Sequence, residues 1–163
     1  MISIQKAKII YRLMYLVFLL PVLSVMTLFS IRIEEENFLN KAQVNMNQVN
    51  AEFSSISEGM NFKEEDIELE KRELARRLRN LESKLFNLEI LLFDARKDFS
   101  LNYLNPNRYS FENKLTQVRR ILLNGRRFAR NAEFIIQSDQ ISEERQAFFE
   151  KNKELFSQAL QAF

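Results

Sequence analysis

The sequence predicts an all-α protein in which a single N-terminal transmembrane helix continues into a long coiled-coil rod with a helical hairpin or three-helix tip. Two observations predict this fold. Segment 13–31 carries no charged residue and is long enough to cross a bilayer as a helix. Behind it, an apolar residue recurs at every seventh position from Leu39 to Ala95. That period is typical of a long helix that buries one stripe against another helix.

The N-terminal segment divides into a short basic tail, 1–12, and the apolar span, 13–31. Lys6, Lys8 and Arg12 precede the span, and no acidic residue occurs before Glu34. Because positive residues favour the cytoplasmic side, we expect a single-pass protein of an inner, cytoplasmic-type membrane with a cytoplasmic N-terminus. The C-terminal region is then periplasmic or otherwise extracytoplasmic. A cleaved signal peptide and a mitochondrial presequence are the alternative interpretations of this segment.

The rod is predicted from Glu34 to Leu104, because this stretch contains no proline and one glycine. We divide it into a membrane-proximal stalk, 34–66, and a distal part that begins at residue 67. Near residue 65 the companion apolar column changes side, a stutter that locally unwinds a supercoil. We favour a solvated, loosened stretch there over a hinge or a docking site for a basic partner. The predicted helix-pairing seam consists of Leu39, Met46, Phe53, Met60, Ile67, Leu74, Leu78, Leu81, Leu85, Leu88, Leu92 and Phe99.

The distal region, 67–163, is predicted to contain helices at about 67–104, 106–137 and 142–163. Pro106 ends the first of these and suits the first turn of the next, and Ser142 is a good N-cap for the third. Short connections favour a hairpin within one chain over a dimeric coiled coil, although the sequence leaves both open for the 67–99 seam. The residues predicted to pack the tip are Leu115, Val118, Leu122, Gly125, Ala129, Ala132 and Ile136.

The second tip helix is strongly basic. We expect its arginines to pair with Glu82, Glu89, Asp94 and Asp98 of the preceding helix or to stay solvated, in preference to forming a patch for an anionic partner such as a glycan or lipid headgroups. Nucleic acid is not expected, because the net charge is only +2 and no aromatic residues interleave with the arginines for stacking. The candidate patch consists of Arg119, Arg120, Arg126, Arg127 and Arg130.

The composition argues against an enzyme. The chain has no cysteine and no histidine, which removes the usual ligands of zinc, haem and iron–sulfur clusters and the common nucleophile systems. With Gly59 and Gly125 as its only glycines, it has no phosphate-binding loop. We therefore expect no catalytic residue, no metal or other cofactor and no small-molecule substrate.

An anchor joined to a helical rod predicts a structural or scaffold subunit of a larger membrane-associated assembly, such as a motor, secretion or division apparatus. The layout is similar to that of bitopic coiled-coil proteins of such cell-envelope machines, and to the inner-membrane partner of phage spanins. The alternatives are a subunit of an organellar inner-membrane complex, a spanin-like envelope protein, or a bundle-type sensory protein. The expected partners are the lipid bilayer and other protein subunits, bound through coiled-coil contacts in a homo- or hetero-oligomer.

Overall fold

The computed structural model describes residues 4–60, 67–98, 108–138 and 143–163, with side chains placed for residue 8 and for 11–60, 69–95, 108–138 and 143–163. These ranges contain four helices: α1 (Ile4–Gly59), α2 (Ile67–Asp98), α3 (Arg108–Gln137) and α4 (Glu143–Gln161). No described residue lies in a β-strand. The prediction of an all-α protein is confirmed.

The first half of α1 is an apolar helix whose described side chains do not pack against the other helices. Every side chain from Tyr11 to Ser30 is exposed, and α1 is the one described helix long and apolar enough to span a membrane. Pro21 lies inside this stretch without ending the helix. The hydroxyls of Ser24 and Thr27 donate hydrogen bonds to main-chain carbonyls one turn earlier, at 2.7 and 3.0 Å. These polar groups are therefore satisfied within their own helix, as an apolar surrounding requires.

The second half of α1 forms one wall of a four-helix bundle. Gly59 lies against Leu74 near the start of α2, whereas Phe38 shares a surface depression with Leu91 and Ala95 near its end. The two helices are therefore antiparallel. Such neighbours are expected when the connection between helices is short.

The other two helices complete an up-down-up-down arrangement. The rings of Phe38 and Phe111 are 5.4 Å apart, and those of Phe53 and Phe128 are 5.0 Å apart, so α3 runs parallel to α1 on the diagonal of the bundle. Gly125 on α3 lies against Phe156 on α4, and Lys114 near the start of α3 donates a hydrogen bond to the main-chain carbonyl of Phe163, so α4 is antiparallel to α3. Helices adjacent in sequence pack on each other, while α1 and α4 meet at few positions.

The predicted continuous helix from Glu34 to Leu104 is wrong, because α1 ends at Gly59 and α2 returns along it from Ile67. The seven-residue apolar repeat is found on both sides of this reversal because α1 and α2 each bury one apolar stripe in the same core. The stutter falls in the sequence between α1 and α2. Residues 61–66, including Glu65, lie outside the described residues.

An aromatic cluster fills the middle of the bundle. Phe53, Phe128, Phe149 and Phe156 come from three helices, and the rings of Phe53 and Phe156 meet edge to face at 4.9 Å. Gly125 lies beside this cluster, where a Cβ atom would be 2.8 Å from Leu85 Cδ2 and 2.9 Å from Phe156 Cζ. Glycine at this position therefore lets α3 approach both α2 and α4 closely.

Candidate protein interaction surface

The residues of the predicted seam line the interior of a single chain. Met46 and Phe53 are buried on α1, and Leu39 and Met60 are half-buried there. The members on α2 from residue 74 to residue 92 are all buried: Leu74, Leu78, Leu81, Leu85, Leu88 and Leu92. The side chains of Ile67 and Phe99 lie outside the described residues. Since α1 and α2 face each other, these side chains meet within the chain.

The residues predicted to pack the tip are brought together on one face of α3. All of them are buried: Leu115, Val118, Leu122, Gly125, Ala129, Ala132 and Ile136. This face packs on α2 and α4, and the close approach of both helices is seen at Gly125. The predicted helix starts at 106 and the end at 104 lie outside the described residues.

Of the five arginines in the predicted patch on α3, one is paired and four are unpaired, while Arg108 at the start of the helix pairs with Glu112. Arg126 donates a hydrogen bond to the carboxylate of Glu89 on α2, which joins the two helices. The remaining arginines are exposed and form no ion pair with any described residue: Arg119, Arg120, Arg127 and Arg130. The expected pairing with acids of the preceding helix is therefore present for Arg126, while Glu82 and Asp94 form no ion pair with any described arginine of α3. The side chain of Asp98 lies outside the described residues.

A second column on α2, which the sequence analysis missed, points away from the core. Arg72, Arg79, Phe86 and Phe93 are seven residues apart and all exposed. They lie two positions before the buried residues 74, 81, 88 and 95, which places them about 160° away around the helix. These residues repeat with the same seven-residue period as the core column, so the sequence contained the signal. It was missed because two arginines followed by two phenylalanines do not resemble an apolar core stripe.

The Glu89–Arg126 ion pair fixes how this column meets α3. Phe86 and Phe93 are three residues before and four after Glu89, so both neighbour it on the surface of α2. Leu123 lies three residues before Arg126 and is also exposed. We call this surface the α2–α3 face, defined by an apolar centre and a cationic margin: Phe86, Phe93, Leu123, Arg79, Arg119, Arg120, Arg127 and Arg130.

Two other surface features differ from the α2–α3 face in their charge. Near the start of α2, hydrogen bonds from Arg76 and Arg77 lower the pKa of Glu73 to about 2, so this cluster contains its own counter-charge. Between α1 and α4 an open groove of about 970 Å³ includes Ser57, Lys151 and Glu154 in its lining. Its charged residues are of both signs.

The described side chains contain no group of three or more acidic, histidine or cysteine residues placed to hold a metal ion. No protein-family model matches the chain, and no curated protein and no solved structure matches it.

Proposed function

We propose that this protein is a membrane-anchored structural subunit, whose apolar N-terminal helix crosses the bilayer and whose bundle holds partner proteins beside it. The observation that carries the proposal is the continuity of α1. One helix of 56 residues presents an exposed apolar surface in its first half and the wall of a packed bundle in its second. An apolar surface of this size is costly in water and is accommodated by lipid.

The orientation follows from the charges around the span. Lys6, Lys8 and Arg12 lie before it, which favours a cytoplasmic N-terminus and a bundle on the extracytoplasmic side of an inner membrane. An assembly of the bacterial cell envelope, such as a motor, secretion or division apparatus, is the setting we propose. An organellar inner-membrane complex has the same topology.

The bundle also indicates how partners would be held. The seam that the sequence offers for pairing between chains is occupied by the chain's own helices. Contacts with other subunits must therefore use the outer faces of the bundle. The proposed subunit is therefore a bundle that binds partner proteins through its sides, in place of the predicted rod that pairs along its length.

Extraction from native membranes tests the proposal. We expect the full-length chain to stay in the pellet after alkaline carbonate washing, and to elute after mild detergent extraction in a complex several times its own 19.5 kDa mass. Release by carbonate would overturn the membrane anchor. Recovery as a lone monomer or homodimer in several mild detergents would overturn the role in a larger assembly.

A further inference from the structure

We infer that the α2–α3 face is the docking site for an acidic, amphipathic α-helix of a different protein. The inference rests on the proposed function and names the surface through which the bundle would hold a partner. Phe86, Phe93 and Leu123 provide an apolar strip, and arginines on both helices provide its positive margin.

The apolar centre has the dimensions of a helix contact. Phe86 and Phe93 are two turns apart on α2, about 10 Å along the axis, and they are 57% and 67% exposed. A docking helix repeats its apolar side chains at the same spacing, at positions i and i+7, with others between them at i+3 or i+4. Leu123 widens this strip on the α3 side, across the Glu89–Arg126 ion pair.

The charge of the face selects an acidic partner. Arg79, Arg119 and Arg130 form no ion pair with any described residue, and the carboxylate of Glu89 is engaged by Arg126. The exposed carboxylates of Glu82 and Glu133 lie three residues after Arg79 and Arg130 and offset these two arginines. The excess of positive charge is therefore centred on Leu123, which Arg120 and Arg127 flank on α3. A partner helix with Glu or Asp beside its apolar stripe would complement these guanidinium groups. Arg pairs well with carboxylates because its fork of donors allows bidentate contacts.

A second copy of the chain fits this surface poorly. Two copies anchored in one membrane would stand parallel, and pairing through the α2 column would bring Arg72 and Arg79 close to the same residues of the partner. Like charges facing each other across an interface oppose binding. The column also runs along the bundle, so Arg72 and Phe93 are separated by about 30 Å and cannot both lie against the surface of a bilayer that α1 crosses.

The chain contains control residues for both the apolar centre and the cationic margin of the α2–α3 face. Phe148 on α4 is 56% exposed, almost the same as Phe86, and its charged neighbours one turn away are of both signs: Glu144, Arg145 and Lys151. Arg120 and Arg127 lie three residues before and four after Leu123, so they belong to the margin of the same strip. Lys151, which is exposed beside Phe148 on α4, is therefore used as the charge control.

The first experiment measures binding of synthetic peptides to the full-length chain in phosphatidylcholine nanodiscs by fluorescence anisotropy. The probe is a 21-residue helix with leucine at positions i, i+3 and i+7 and glutamate on the flanks. Its controls are the same composition in scrambled order and the same helix with lysine for glutamate. We expect the acidic amphipathic peptide to bind at least about tenfold more tightly than either control, and less tightly as salt rises.

The variants assign the binding to the face. Phe86→Ala with Phe93→Ala, and separately Arg119→Glu with Arg130→Glu, should each weaken the acidic peptide at least about tenfold. Phe148→Ala and Lys151→Glu, in separate variants, should each change it less than twofold. Equal binding of the scrambled peptide, or equal losses in the control variants, would overturn the inference. Helical content and unfolding midpoint are checked for each variant, and single substitutions replace any pair that fails to fold.

Cross-linking in the native membrane tests the identity of the occupant. With Phe86 replaced by p-benzoyl-phenylalanine, the adduct should map to an acidic amphipathic segment of another protein, and the same replacement at Phe148 should not give it. An adduct to a second copy, to lipid or to a segment without that pattern would overturn the inference. If the cross-link to an acidic segment is absent but the large complex is intact, only the docking site is rejected. If the acidic peptide binds but the chain is recovered alone from native membranes, only the proposed assembly is rejected.

Discussion

The two halves of α1 differ in the composition of their exposed surfaces, although they belong to one helix. Leu20 in the first half is 58% exposed and Val44 in the second is 56% exposed, yet the residues around them are of different kinds. All faces are apolar around Leu20, whereas around Val44 the exposed residues are mainly Asn, Gln and Lys. The exposed fraction of a single residue therefore does not distinguish the two halves of α1, whereas the composition of the whole exposed surface does.

Stability should separate the halves most strongly. Replacing Phe53 by alanine removes a buried ring that meets Phe128 and Phe156 edge to face, and we expect the bundle to lose about 3–5 kcal/mol of unfolding free energy. Phe18→Ala, in the apolar half, should leave that free energy unchanged because the ring touches no bundle residue. Denaturant unfolding in mild detergent, followed by circular dichroism, measures both. Equal losses would contradict the separation into two environments.

Retention in the membrane should be sensitive to substitution in the first half of α1 and insensitive to substitution in the second. An aspartate at position 20 would lie near the centre of the bilayer, at a cost of about 2.5–3.5 kcal/mol on insertion scales. We expect Leu20→Asp to shift a large part of the chain into the carbonate-soluble fraction. Val44→Asp has almost the same starting exposure and should stay in the pellet. If both variants behave alike, the first half of α1 does not lie in lipid.

The two glycines allow a finer comparison within the bundle. Gly125→Ala places a methyl group against Leu85 and against a Phe156 ring that is itself held by other rings, so we expect a loss of about 1–2 kcal/mol. At Gly59 only the end of Leu74 is in the way, and alanine has the higher helix propensity. Gly59→Ala should therefore stay within about 0.5 kcal/mol of the parent protein. A loss at Gly59 as large as at Gly125 would contradict this packing.

The smallest effect concerns the acid response of α2. The pKa of Glu73 is lowered from 4.5 to about 2, so its stabilising contribution is fully present above pH 4.5 and is lost as the pH falls towards 2. Glu73→Gln should lower stability slightly at pH 7 and hardly at all near pH 2. Because the group is exposed, added salt should reduce the difference. Unfolding curves at both pH values, with and without salt, measure it. An effect that is larger at low pH would contradict the sign.

The helical class and the division of α1 followed from composition and period, because an uncharged stretch and a seven-residue stripe are both properties of the sequence alone. The reversal after Gly59 did not follow, since the buried column has the same phase on both sides of the turn. The chain gave one hint there, the low apolar content around residues 58–66. The outer column of α2 was missed because a periodic pattern shows that a helix has faces, and packing decides which of them remains open. Arginine pairing depends on helix rotation, which is fixed only when the core is assembled.

The unbroken passage of α1 from its apolar half into the bundle has a geometric consequence. Because α1 is continuous, the number of residues between its apolar half and the bundle sets the rotation of the bundle about the helix axis. With that half in a bilayer, as proposed, it also sets the direction in which Phe86 faces in the plane of the membrane. One residue inserted after Ile31 would swing the bundle by about 100°, and seven would return it almost to its starting direction. A partner that is itself fixed in the membrane would tolerate the second change and not the first.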